Sequence, residues 1–441
     1  MHCITTEKMG IPSVPIVTHV FHDLMTAVSF KAGMPSERFV FVPHPVGGKS
    51  VHALREYVRG DDPITGRPIL DEIVAGLTAP LSQKEKTEGS IDRSEPRFLE
   101  PDTEDNLASF LHEEGWTDGL PIVLPTEERV AKMLAGTRRA RDEIVGRMRP
   151  TDTQEYWEYT VEKVAINAVM AGAEPEFFPV ILALAASGHT ALHSSTSSFA
   201  SMVVVNGPIR NEISMNGGIG ALGPFNRANA TIGRAYSLLS RNLGGGAIPG
   251  KTYLGSQGNP LNYCNICFPE NEERSPWEPF HVQKGFRADE SVVSIFRGRG
   301  FNHLLDVKEK TWREQVLNLV TGITPIGSNL TLILEPLAAK TFKEREGFAT
   351  KAELAQWIHE NSLVPAKVFW DYQIVINYVE PQARKGVEPY ASWLDLPEDA
   401  LIPRFSKPEG ISIVVVGGET NAYWYASEFS YLKSVSIDEW R

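Results

Sequence analysis

Four runs along the chain share one format, a continuous apolar stretch that stops at a Gly or Pro turn: 201–208 (SMVVVNGP), 291–298 (SVVSIFRG), 329–336 (NLTLILEP) and 411–418 (ISIVVVGG). Near-continuous Val/Ile/Leu strands lack the polar alternation of a half-exposed sheet, so they predict strands buried on both faces. Helical spacing separates them. Residues 155–171 place Val161, Val164, Ala165, Ala168 and Val169 on one face, 175–187 are almost wholly apolar and predict a buried helix, and about 226–242 form a further helix. Upstream, 106–114 read as helix, and Thr126 followed by Glu127 and Glu128 marks a helix start. The pattern predicts an α/β domain over 106–441, with a mixed or parallel sheet covered by helices. No exact internal repeat is visible.

The first 81 residues predict a separate, smaller α/β unit. Residues 13–18 (SVPIVT) and 38–42 (RFVFV) read as strands, 23–32 as the helix between them and 69–77 as a closing helix. A strand, helix, strand order favours a parallel pair, which would bring His19, His22 and His44 to one carboxyl edge. Residues 82–105 turn charged and polar, with Pro, Gly and Ser interspersed, and read as a linker.

Composition narrows the function classes. The 441 residues carry 43 Lys and Arg against 55 Asp and Glu, a formal net charge of -12, and 42% hydrophobic residues. Such a chain is globular, and nothing basic in it suits nucleic acid or an anionic membrane surface; small molecules or other proteins are the expected partners. No run reaches the ~18 apolar residues of a membrane helix, and the N-terminus lacks a signal-peptide pattern, so the chain reads as soluble and cytoplasmic. Three cysteines are too few for a disulfide scaffold.

Two of those cysteines form a C-x-x-C pair, Cys264 and Cys267, whose spacing suits attack and resolution of a disulfide, a shared metal, or plain burial. The Pro-rich segment after it, 269–281, holds Glu270, Glu272 and His281 as candidate acid–base groups, or forms a solvated acidic loop pinned by Trp277. Asn206 and Arg210 follow the first apolar run, and the Gly-rich 216–223 (NGGIGALG) enters the 226–242 helix, where Arg227, Arg234 and Arg241 recur every seven residues. Guanidinium groups there suit a carboxylate or phosphate, or internal salt bridges. No dinucleotide or Walker fingerprint is present. His44 lies between two prolines at a predicted strand end. The hydroxyl-rich 194–198 lacks a nucleophile elbow, and Glu162 and Asn167, on an otherwise apolar helix, need buried partners.

Several blocks together resemble a known family. Glu7 to Val14 (EKMGIPSV), Phe21, Gly33-Met34-Pro35 and 41–48 (FVPHPVGG) resemble the UGSC-like domain, named for a selenocysteine- or cysteine-bearing motif, and more distantly the selenoprotein subunit of glycine and proline reductases. Blocks at 116–121, 160–172, 206–210, 227–234, 270–273, 275–277 and 416–418 look like the long region that accompanies that domain. In the family the U/C-G-S-C element precedes the G-I-P segment. Here Met1 stands only a few residues before Gly10, so the motif is expected to be missing, its thiol supplied by a second subunit or replaced by other groups.

The leading expectation is an enzyme performing thiol-assisted redox or carbon–heteroatom bond chemistry on a small carboxylate-bearing substrate. Cys267 would be the nucleophile or redox thiol, Cys264 its resolving partner, Glu270 and His44 acid–base groups. Arg210, Arg234, Asn206, Asn271 and His281 would bind substrate. No metal ligand set and no cofactor are assigned. The alternatives are a lyase or hydratase working through Glu and His, with or without a metal, and a non-catalytic subunit that completes a thiol-bearing partner's site. A homo- or hetero-oligomer is expected.

Overall fold

The computed structural model describes residues 2–87, 97–148, 158–193, 196–244, 248–250, 253–303, 311–324, 330–421 and 424–441. The middle of the expected linker, the start of the 155–171 helix, Ser194 and Ser195 of the hydroxyl-rich run, and Asn329 lie outside them.

In the N-terminal unit, β1 (Ile16–Thr18) pairs in parallel with β2 (Val40–Val42), with helix His22–Lys31 between them. Helices Val51–Arg59 and Ile69–Thr78 pack against the pair, where Val40, Val42 and Ile69 form a small core with Val14, Val58 and Ile73, and helix His2–Lys8 precedes it. The far edge of β2 is closed by buried Asp62, whose carboxylate accepts the Phe41 N–H at 2.6 Å while also holding the Ile64 and Thr65 N–H groups. β1 remains an edge strand with Ile16 exposed.

The larger domain opens with helices Glu104–Glu113 and Glu127–Leu134, followed by an antiparallel pair, β3 (Ile144–Arg147) and β4 (Glu158–Thr160). Its later strands are β5 (Ala200–Asn206), β6 (Ile266–Pro269), β7 (Val292–Gly298), β8 (Phe301–His303), β9 (Leu330–Leu334), β10 (Leu363–Pro365), β11 (Leu401–Pro403), β12 (Ile411–Val415), β13 (Trp424–Ser427) and β14 (Ser430–Ser436). They build two four-stranded mixed sheets, ordered β6-β5-β7-β14 and β12-β9-β13-β8. Each has the same directions in the same order: one parallel pair, then two antiparallel ones.

Period-two alternation sorts the side chains into layers. Met202, Val204, Ile266, Phe268 and Phe296 of the first sheet meet Ile333, Val414 and Val416 of the second in a core between the sheets. The opposite faces, Val203, Val205, Val293 and Ile295 on one and Leu330, Leu332, Ile413 and Val415 on the other, are covered by helices. Helices Val161–Met170, Phe178–Ala186 and Arg227–Asn242 cover the first sheet; Trp312–Val320, Pro336–Glu344 and Lys351–Asn361 cover the second. The α/β class read from the four apolar runs is what the chain adopts. The second apolar face of each sheet is filled by the other sheet rather than by more helices, an arrangement that the same Val/Ile-rich pattern serves equally well.

The sheets are also cross-linked by the chain itself. β7 of the first sheet runs on after Arg299 and Gly300 into β8 of the second, and β13 of the second runs on after Glu428 and Phe429 into β14 of the first. Arg299 and Glu428, one from each crossing, pair at 2.9 Å. A smaller cluster of Val364, Phe369, Val375, Trp393 and Ile402 sits under the β10–β11 pair, between helix Lys351–Asn361 and β12.

Candidate functional site

The carboxyl ends of β5, β6 and β12 converge, as the ends of parallel strands in a mixed sheet do, and gather most of the predicted polar residues. Glu270 follows β6 and is fully buried. One carboxylate oxygen accepts from Lys351 Nζ at 2.7 Å and from the Val415 N–H at 3.3 Å; the other accepts from Asn206 Nδ2 at 2.7 Å and the Phe280 N–H at 2.6 Å. Lys351, equally buried, opens helix Lys351–Asn361 and was not singled out by sequence; a lysine at a helix start carries no pattern that predicts such a partner. Asn271 ties the same turn to the second sheet, its N–H donating to Val415 O at 2.8 Å and its Nδ2 to Gly417 O at 3.0 Å. With both oxygens doubly engaged, Glu270 is arranged as a charged clamp between the sheets, and it offers no free lone pair for proton transfer.

The predicted anion binders are similarly engaged. Arg210 donates through Nε to Gly207 O, through Nη1 to Glu270 O and Glu273 Oε2, and through Nη2 to Glu273 Oε1, all at 3.0–3.1 Å, and its Nη2 forms an ion pair with Glu272 Oε2 at 3.1 Å. Four of its five guanidinium hydrogens are thereby used, and the carboxylates of Glu272 and Glu273 neutralise its charge. Its pull holds the Glu273 carboxyl down at about 2. The seven-residue arginine stripe is a set of internal salt bridges and caps: Arg227 pairs with Glu174, Arg234 grips Asp118 at 2.7 and 2.9 Å, and Arg241 donates to Gly115 O. Glu162 and Asn167 find the partners they need, Arg97 and Arg141 for the first and Asn242 for the second.

Cys267 lies on β6 with its side chain toward helix Arg227–Asn242, buried, and burial pushes its thiol far above the ordinary range. Burial also raises the Cys264 thiol, outweighing the nearby Arg234. Neither sits in the electropositive, open setting that activates a thiolate. His281 is fully buried beside the Glu270 clamp, with no hydrogen-bond partner for either ring nitrogen among the described residues. Trp277 is buried and donates to Phe348 O at 3.0 Å, pinning the Pro-rich loop. His44 stays in the N-terminal unit. Its Nδ1 lies 3.3 Å from Thr18 Oγ1, its ring meets Phe21 edge-on, and His19 and His22 contact the same strand ends through Val42 O and Phe41. Among the described residues no three His, Cys, Asp or Glu side chains converge as a metal site.

An open cleft of about 460 Å³ lies elsewhere in the N-terminal unit, between the segments at 7–13, 34–38 and 76–86. Helix His2–Lys8 ends at Gly10, whose φ of 78° only glycine adopts readily, and helix His22–Lys31 ends similarly through Gly33 at 77°. The turns that follow carry Ser13 and Glu37 to the cleft. Glu7 accepts the Ser13 N–H, and Ser13 Oγ donates to Cys3 O at 2.9 Å. Glu37 is half-buried, and its Oε1 is buried without a hydrogen-bond partner among the described residues. Burial, reinforced by Glu7, raises its carboxyl to about 7. Arg38 beside it is locked to Glu85, which Arg38 and Ser82 hold at about 2. Glu37 escapes a reading of the sequence because one Glu in a loop before a strand has no distinguishing neighbours; only the Gly33-Met34-Pro35 block next to it stood out.

The class these features define is an α/β protein of two stacked mixed sheets, preceded by a small α/β unit with an acidic cleft. Residues 2–63 match the model of the UGSC family, so this part of the chain is similar to that family, and the match includes Glu7, Ser13 and Glu37. The larger domain lies outside that match. Comparison with the curated proteins gives no match, and neither does comparison with the solved structures.

Proposed function

We propose that the chain is an enzyme that moves protons on a small molecule bound in the N-terminal cleft, with Glu37 as the general acid–base group and Glu7 as a second carboxyl beside it. The observation that carries this reading is Glu37 itself: a carboxyl in a ligand-sized cleft, half-buried, one oxygen unengaged, and titrating at about 7. A group whose pKa matches the working pH is the most effective proton carrier. Lyase, hydratase and isomerase reactions all need such a group. Thiol chemistry draws less support, because Cys267 and Cys264 are both held protonated by burial.

The test needs no known substrate. Pools of small metabolites incubated with the protein in D₂O are read by NMR for deuterium incorporation or product formation. Glu37→Gln should lower the rate on any responsive compound by roughly 10²- to 10⁴-fold. A compound turned over equally by the variant would end this assignment.

A second reading, a subunit that completes a partner's site, is favoured by one feature, the open edge of β1 with Ile16 exposed. Native mass spectrometry of the protein purified from its source decides it: a stoichiometric second polypeptide supports this reading, and an active homo-oligomer removes it.

A further inference from the structure

In the larger domain, we propose that Arg404 anchors a second ligand site, one that takes the carboxylate group of a small monocarboxylate. The arginines expected from the sequence to hold an anion are engaged, Arg210 with Glu272 and Glu273 and Arg234 with Asp118. Arg404, which the sequence does not single out, follows β11 and is 9% exposed, yet no carboxylate pairs with it among the described residues. Its Nη1 donates to Ile323 O at 2.9 Å, which ties it to the turn after helix Trp312–Val320. Its Nε is buried with no hydrogen-bond partner among the described residues. The edge formed by Nε and Nη2, the fork that grips a carboxylate side-on, is thus left open. A guanidinium stays charged at any working pH, and a buried charge without a counter-ion is strongly unfavourable, so the fork calls for an anion.

The surroundings set the ligand's charge. Ser362 stands opposite Arg404, one step beyond the β10–β11 register, and its carbonyl accepts the Arg404 N–H at 2.8 Å. Alternation places the Ser362 hydroxyl and the guanidinium on the face that carries Val364 and Ile402, while Phe405 turns to the core under the second sheet. Tyr372, after helix Ala366–Trp370, packs on the same Val364–Ile402 cluster and is near enough for its phenol to act electrostatically on Arg404. Burial opposes the Arg404 charge, and Tyr372 favours it. The neighbouring cationic groups are turned elsewhere: His359 Nδ1 lies 2.7 Å from Phe405 O, and Lys407 is exposed to solvent. One buried positive charge balances one negative charge, so a monocarboxylate fits, whereas a phosphate dianion would bring a surplus. The Ser362 and Tyr372 hydroxyls supply further donors on that face, and the apolar cluster suits a hydrocarbon body.

The full-length protein is titrated calorimetrically at pH 7 in low-salt buffer with sodium propionate and, separately, with sodium phosphate and sodium chloride. Saturable binding of propionate is expected. It should be lost in Arg404→Met, weakened roughly tenfold in Arg404→Lys, which keeps the charge but not the fork, and unchanged in the surface variant Arg55→Met. Propionate should also raise the melting temperature of the parent and leave that of Arg404→Met where it was. No saturation by propionate would overturn the proposal, as would parental affinity in Arg404→Lys, or phosphate or chloride binding as tightly as propionate. Thermal melts establish that the variants fold; if Arg404→Met does not, Arg404→Lys carries the comparison.

Discussion

At the scale of single residues, burial decides which groups can do chemistry. Glu37 ionises against its surroundings: its folded value, about 7, lies above the unfolded one near 4.5. The proton it holds is therefore a source of stability that is fully present below pH ~4.5 and lost as pH rises through 7. Glu37→Gln should accordingly melt at a higher temperature than the parent at pH 8, with the gap closing towards pH 5. A variant equally or less stable at pH 8 would mean the carboxylate is well solvated. The opposite holds for Glu85, held at about 2 by Arg38 and Ser82, whose stabilisation is present above pH ~4.5 and lost only as pH falls towards 2. Cysteine behaves in the same terms. Cys267 should stay unmodified by iodoacetamide at pH 8 until the protein is unfolded, read by mass spectrometry of each peptide; rapid native labelling there would restore the thiol mechanism.

At the scale of elements, close approach matters as much as periodicity. A side-chain carbon on Gly233, in helix Arg227–Asn242, would lie 1.9 Å from Cys264 O and 3.2 Å from Cys267 Cβ, so the C-x-x-C segment rests directly on that helix. Gly233→Ala must push strand and helix apart and should cost about 1–3 kcal/mol or more in urea denaturation. The Glu270–Lys351 pair joins the turn after β6 to the first residue of a helix on the other sheet. Lys351→Met leaves a buried carboxylate without its partner and should cost about 3–5 kcal/mol, against a much smaller loss when Glu270 is also made Gln. Such constraints explain what could be read in advance. The apolar runs and the Thr126 helix start are local signals, and they correspond to β5, β7, β9, β12 and helix Glu127–Leu134. The helix Val51–Arg59 went unread although Leu54, Tyr57 and Val58 recur at helical spacing on one half-buried face, because it is short and follows directly on the Gly-rich turn at 46–50. The polar cluster at 206–273 was legible as a group, since turns after buried strands collect polar side chains. Its character was not, because Lys351 arrives from 81 positions away, and pairing at that distance leaves no trace in either local sequence.

At the scale of the whole molecule, the crossed strands should govern cooperativity. Each sheet contains one strand whose continuation belongs to the other, and the two apolar inner faces form one core. Unfolding either sheet alone would expose that shared layer and part the Arg299–Glu428 pair that joins the two crossings, so the sheets are expected to open together. The N-terminal unit has only the small core round Val40, Val42 and Ile69, with exposed Ile16, Val51, Leu70 and Val74 at its surface, and should open at lower cost. Native-state hydrogen exchange read by mass spectrometry separates these cases. Peptides covering β5 and β9 should share one opening free energy across a denaturant series, while those covering β1 and β2 exchange earlier. Exchange of β9 and β12 ahead of β5 and β7 would mean that the strand crossings do not couple the sheets.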